Sequence, residues 1–243
     1  MQTQIFVGTI FALSTALIFF YKKINEKNKF CVGIDINKTQ KNQISESTGI
    51  ILLIPFWVTI LFAFTTNIVD ARILAFGILA TTFALVGFFD DLKNKFLAKP
   101  MGWTIRALPI AIASLTFAFF FSPNIFWIIP LSLFIAGIAS LQNTFAGLNG
   151  WEVGSGFIIS IFVALALIGT QFFLISTSIS AMIFALLLFN FFPAKIFPGD
   201  SGTLFIGSAL SGLVVLTQNI SLTLMTFLFF LPLKIASLIV VRM

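Results

Sequence analysis

Three polar blocks hold the residues with chemistry to offer: Phe88 to Lys95, Asn143 to Gly150 with Glu152 just beyond, and Pro193 to Gly202. Adjacent carboxylates such as Asp90 and Asp91 suit deprotonating or positioning a nucleophile, or attracting magnesium. The plainer alternative is a solvated helix end flanked by Lys93 and Lys95. Two acids at the negative end of a helix are unfavourable by about 0.3 to 1 kcal/mol each, so lysines or a divalent cation must offset them. In the second block, Asn143 and Asn149 offer amides to a hard cation or a base edge, and Glu152 adds a carboxylate; Gly147 and Asn149-Gly150 are equally ordinary turn formers. In the third, Asp200 or Ser201 suits an N-cap. The same position directs free N–H groups and the positive end of a helix dipole at a ligand, with Gly199 and Gly202 admitting a phosphate. Lys195 adds a mobile positive charge.

The elements that must position these residues are membrane helices. The chain is 59% hydrophobic and 9% charged, with a mean hydropathy of +1.10, which no soluble domain of 243 residues could bury. At about 20 apolar residues per crossing, nine spans are expected: Ile5–Tyr21, Gly49–Thr66, Ile73–Phe89, Ile105–Phe121, Ile125–Leu141, Gly156–Gly169, Phe172–Phe192, Thr203–Leu216 and Ile220–Val241. Period-2 alternation is missing from these runs, which disfavours a membrane β-barrel. The fold class is therefore all-α: a polytopic helical bundle forming one domain over residues 1–243.

Counting crossings puts the three blocks on one side of the bilayer. With the N-terminus outside, twelve Lys and Arg residues fall in inner connections, and Arg72 is the sole one in an outer connection. That bias makes the inner side cytoplasmic. Lys22 and Lys23 follow the first run and no positive residue precedes it, the reverse of a signal peptide. The net charge of +6 lies where anionic headgroups and phosphorylated substrates would be, so no nucleic acid is required as a partner. Lone Cys31 allows no internal disulfide. The polar stretch from Lys22 to Thr48 reads as an ordered cytoplasmic loop or a short interfacial helix.

Taken together, the blocks resemble the polyprenyl-phosphate N-acetylhexosamine-1-phosphate transferases (glycosyltransferase family 4 type). The matching runs are Gly87-Phe88-Phe89-Asp90-Asp91, Asn143 to Gly150, and Phe197-Pro198-Gly199-Asp200-Ser201. A fourth segment, Gly33-Ile34-Asp35-Ile36-Asn37-Lys38 followed by Gln43-Ile44-Ser45-Glu46-Ser47-Thr48-Gly49, looks like a loop of the eukaryotic and archaeal dolichyl-phosphate branch. Ala146-Gly147-Leu148-Asn149-Gly150 is likewise closer to that branch than to the muramoyl-pentapeptide transferases.

The resemblance implies transfer of N-acetylglucosamine 1-phosphate, or a related N-acetylhexosamine 1-phosphate, from a UDP-sugar to polyprenyl or dolichyl phosphate, releasing UMP. It implies Mg²⁺, with Mn²⁺ as an alternative, held by Asn143 and Asp200. Asn149, Gly147 and Ile36 would line a uracil pocket, with Phe197 stacking on or closing over the base and Asp35, Glu46 and Lys195 also on the substrate. Asp90, Asp91 and Lys99 would be the catalytic group, Lys99 neutralising phosphate. The expected setting is the cytoplasmic membrane with the site facing the cytoplasm, the lipid bilayer and a second copy of the chain being candidate partners.

This sequence departs from the family pattern at Ser45, where a proline is usual, and at Pro198. Members continue into a His- and Arg-rich loop and a last helix, whereas this sequence stops at Arg242-Met243 and has no histidine. The competing expectations are a truncated or non-catalytic family member acting as a scaffold and a transporter; the latter predicts ionisable residues at mid-membrane depth, where only Lys234 lies deep in an expected span.

Overall fold

The computed structural model describes residues 2–34, 43–97, 99, 101–144 and 149–242. Asp35, Ile36 and Gly147 lie outside the described residues. Among those described, the chain forms α1 (Gln2–Asn28), α2 (Leu53–Thr65), α3 (Arg72–Leu97), α4 (Trp103–Phe121), α5 (Ile128–Asn143), α6 (Trp151–Ala166), α7 (Phe173–Asn190), α8 (Gly199–Leu216) and α9 (Ile220–Arg242). An antiparallel hairpin pairs β1 (Val32–Ile34) with β2 (Gln43–Ser45), and a 3-10 turn at Thr48–Leu52 leads into α2.

Among the described residues, seven helical segments are long and apolar enough to cross a bilayer; Trp151–Ala166 and Ile220–Leu233 are shorter apolar stretches. The protein is an all-α polytopic membrane bundle, as its composition requires. Backbone polar groups have no water to bond in a hydrocarbon layer, so helices that satisfy them internally are the available solution.

Among the boundaries that differ from the hydropathy reading, three have a clear local reason. Helix α1 runs on to Asn28, and the hairpin supplies the rest of the expected loop. Helix α6 begins at Trp151, just after Gly150 with its positive φ of 82°, instead of at Gly156. Helix α3 continues past Phe89 to Leu97, so Asp90 and Asp91 lie inside a helix and not at its end. No Gly or Pro interrupts residues 90–97; Phe96 packs edge-on against Phe30 at 5.9 Å, and Lys95 donates to the Val32 carbonyl at 3.0 Å. The helix stops only as Pro100 approaches.

Helix α8 is the axis of the bundle. Every residue from Ser201 to Leu216 is buried, as expected for a helix that is apolar all round, and its main neighbours are α3 and α5. Close backbone approach depends on small residues. A Cβ at Gly207 would stand 2.5 Å from Ala139 Cα, and one at Gly87 would fall on the Asp200 backbone and 2.5 Å from Ser201 N. Overpacking of this kind typically costs about 1 to 3 kcal/mol. Gly87→Ala is therefore expected to lower the unfolding temperature of the detergent-solubilised protein. Gly8→Ala, where a Cβ meets nothing within 4 Å, should not lower it. A thermal-unfolding comparison of the two variants checks this.

Candidate active site

The alternation of helix directions gathers the C-terminal parts of α1, α3, α5 and α7 with the N-terminal turns of α4, α6 and α8 at one end of the bundle. Two buried asparagines lace the connecting loops there. Asn25 of α1 accepts from Cys31 N at 2.7 Å and donates to the Cys31 carbonyl and to Ser45 Oγ, pinning the hairpin. Asn190 of α7 accepts from Gly150 N at 3.2 Å and donates to the Ile196 carbonyl at 3.0 Å, joining the second block to the third. The third block then runs beside β2: Phe197 N donates to the Ser45 carbonyl, and Gly49 N to the Pro198 carbonyl.

Consecutive positions on a helix point about 100° apart, so Asp90 and Asp91 serve different neighbours. Asp90 is 4% exposed, accepts from Met101 N, and pairs with Arg106 Nη1 at 2.6 Å. The same guanidinium reaches Asp200 Oδ2 at 2.9 Å. Its Nη2 donates to the Asn143 carbonyl at 3.1 Å, while the Asn143 amide nitrogen donates to Asp200 Oδ1 at 3.0 Å and Thr203 Oγ1 at 2.6 Å. Arg106 thus ties α4 to α3, α5 and α8. Asp91 turns the other way and accepts from Ser47 Oγ at 2.6 Å, Asp200 N at 3.0 Å and Ser201 N at 3.2 Å. The N–H groups expected to be free for a phosphate at the start of α8 are therefore engaged by Asp91.

These residues surround a cavity of about 240 Å³. Glu46, Asp90, Asp91, Asn143, Phe197 and Asp200, all expected from the sequence, line it together with Asn94, Glu152, Thr203 and the Pro198-Gly199 turn. Burial pushes the Glu46 carboxyl above its ordinary value; Lys95 opposes that shift and Asp200 reinforces it. Lys99 and Lys195 are both exposed to solvent, and Asn149 is half-buried in the turn before α6. A second groove, of about 430 Å³, runs between α4 and α5 from Met101, Trp103 and Arg106 to Ile110, Ala111 and Ala136.

Arg106 is the participant that the motifs did not reveal. It had a signal: it is the sole charged residue in the otherwise apolar span Trp103–Phe121, and an ionisable residue inside such a span marks a functional site by default. Ser47 and Thr203 carried no comparable signal, since their roles arise only from which helices pack together.

Among the described residues no three His, Cys, Asp or Glu side chains are grouped to hold a metal ion, so oxygens of Asn143 and Asp200 are the donors on offer to a hard divalent cation. The Asn143 carbonyl and Asp200 Oδ2 both converge on one positive group, the Arg106 guanidinium, and carboxylate and amide oxygens are the donors that Mg²⁺ prefers. Five carboxylates line the cavity. A diphosphate entering it would be repelled unless a cation came with it.

Residues 73–218 match the family model described as glycosyl transferase family 4. The chain is 32% identical to the "putative glycosyltransferase" of Methanocaldococcus jannaschii over 89% of its length and 68% of that relative. It is 30% identical to the "putative UDP-N-acetylglucosamine–dolichyl-phosphate N-acetylglucosaminephosphotransferase" of Sulfolobus acidocaldarius, covering 84% of this chain and 67% of the other. A phospho-N-acetylmuramoyl-pentapeptide-transferase of Carboxydothermus hydrogenoformans is 30% identical over 70% of this chain and 61% of its own. The chain thus spans about two thirds of the length of these relatives.

Proposed function

We propose, because this chain belongs to glycosyl transferase family 4, that it transfers N-acetylglucosamine 1-phosphate or a close N-acetylhexosamine analogue from a UDP-sugar to a polyprenyl phosphate such as dolichyl phosphate, releasing UMP. The relative named for UDP-N-acetylglucosamine and dolichyl phosphate supports this choice of substrates. One observation carries the reading: Arg106 lines the apolar α4–α5 groove and bonds Asp90, Asn143 and Asp200 of the carboxylate-lined cavity. A lipid phosphate can place its headgroup at the guanidinium and its tail in the groove, which keeps the tail out of water.

In the reaction, an oxygen of the lipid phosphate attacks the β-phosphorus of the UDP-sugar. The bond from that phosphorus to the oxygen bridging the two phosphates breaks, and UMP departs with that oxygen. Repulsion between two anions is the main obstacle, so positioning and charge neutralisation account for most of the catalysis. Arg106 offers a planar fork to phosphate oxygens. Asp90 holds that fork through Nη1, and Asn143 holds it through Nη2. Asn143 and Asp200 would hold Mg²⁺, or Mn²⁺ in its place, which supplies Lewis-acid charge neutralisation to the donor diphosphate when bound. Glu46 and Phe197 line the cavity, where the nucleotide would lie, and Lys195 is exposed two residues before Phe197. The excess of basic residues in the connections at this end supports a site facing the cytoplasm.

The test supplies purified protein with Mg²⁺, a UDP-sugar radiolabelled in the sugar and a polyprenyl phosphate. Label should enter the lipid phase in proportion to the UMP formed, and chelation should stop it. Protein that leaves all label in the aqueous phase overturns the proposal.

A further inference from the structure

We propose that Asp91 is a positioning residue: it closes the N-terminus of α8 from a neighbouring helix and locks that helix to the hairpin arm, so that Asp200 and Glu46 are held in one frame. The proposal deepens the transferase reading and rests on it for its kinetic readout.

Helix α8 starts without a cap of its own. Its N-cap residue is Pro198, which has no side-chain hydrogen-bonding group, and no side-chain cap bond forms there. Orphan N–H groups at a helix start need an acceptor, most of all in a dry bundle. Asp91, from α3, supplies two: Oδ1 accepts from Asp200 N and Oδ2 from Ser201 N. Oδ2 also accepts from Ser47 Oγ at 2.6 Å. Ser47 in turn stands 3.2 Å from Cys31 Sγ, and its left-handed backbone (φ 54°) turns the chain from the hairpin into the Thr48–Leu52 turn. Gly199 makes the approach feasible, because a Cβ there would lie 2.5 Å from Asp91 Oδ2 and 2.7 Å from Ser47 Cα. Both carboxylate oxygens are thus committed to fixed donors. Asp90, one residue earlier, faces Arg106 instead, whose Nη1 also reaches Asp200.

Asparagine separates a clamp from a proton acceptor. In Asp91→Asn, the amide oxygen still accepts from the start of α8 and the amide nitrogen can donate to Ser47 Oγ, so roughly two of the three bonds survive. Asp91→Ala keeps none. The expected result is that Asp91→Asn lowers kcat by less than about tenfold with an unchanged pH profile. Asp91→Ala should raise both the KM for the UDP-sugar and the Mg²⁺ concentration for half-maximal rate by about tenfold or more. Its unfolding temperature should also drop by about 3 °C or more, the shift that losing a cap gives in a chain of this size, while that of Asp91→Asn stays close to the native one. The proposal is overturned if Asp91→Asn is as inactive as Asp91→Ala while unfolding at the native temperature, or if both variants unfold at the native temperature. A native protein without transferase activity would refute the transferase reading instead, and the order of unfolding temperatures would still decide the role of Asp91.

Discussion

Asp200→Ala is expected to reduce transfer of labelled sugar phosphate to lipid by about 10³-fold, the scale on which removing a key electrostatic group acts. Asp200 is the point at which the connections of the site meet. Its Oδ2 accepts from Arg106, its Oδ1 from Asn143, and its N–H donates to Asp91. The backbone bond survives the substitution, so α8 keeps its start and the protein should still fold. What goes is an oxygen that would hold the proposed cation and one of the two carboxylates holding Arg106. Loss of activity with retained thermal stability, measured on the same preparation, is the expected pair of results. Asn143→Ala should act in the same direction more weakly, since one donor oxygen remains at Asp200.

The second large effect is expected at Arg106. In Arg106→Met the apolar stem is roughly kept, but Asp90, at 4% exposure, loses its charged partner. Breaking a buried pair by removing one member typically costs 3 to 5 kcal/mol, and with the Arg106 side chain 28% exposed the expected cost is about 2 to 4 kcal/mol. On the proposed function, activity should fall about 10²-fold or more, because the lipid phosphate would lose its planar donor. Arg106→Lys keeps the charge without the fork, so one nitrogen replaces two that now serve Asp90, Asp200 and Asn143. It should recover part of both losses. Unfolding temperatures and transfer rates of the two variants, measured together, separate charge from geometry.

The fold class was legible in composition because burying so many Phe, Leu and Ile side chains leaves few alternatives to a bilayer. Element order was legible too, since polar blocks separate the apolar runs. Helix ends were less so. Hydropathy sees where apolar residues stop, and α3 continues past that point because Lys95 and Phe96 find partners on the hairpin. The cavity-lining residues at Glu46, Asp90, Asp91, Asn143, Phe197 and Asp200 were visible because family motifs mark them. The division of labour between Asp90 and Asp91 was not, since it depends on which faces of α3 meet α4 and α8. Nor did a tally of positive residues distinguish Arg106, which belongs to the site, from exposed lysines such as Lys99.

The account stands most directly on the rate of UMP release by purified native protein and by Asp200→Ala, each given Mg²⁺ and a UDP-sugar with and without polyprenyl phosphate. It predicts UMP release by the native protein only when the lipid phosphate is present, and almost none by Asp200→Ala. Release at the native rate by Asp200→Ala, or none by the native protein, would contradict it.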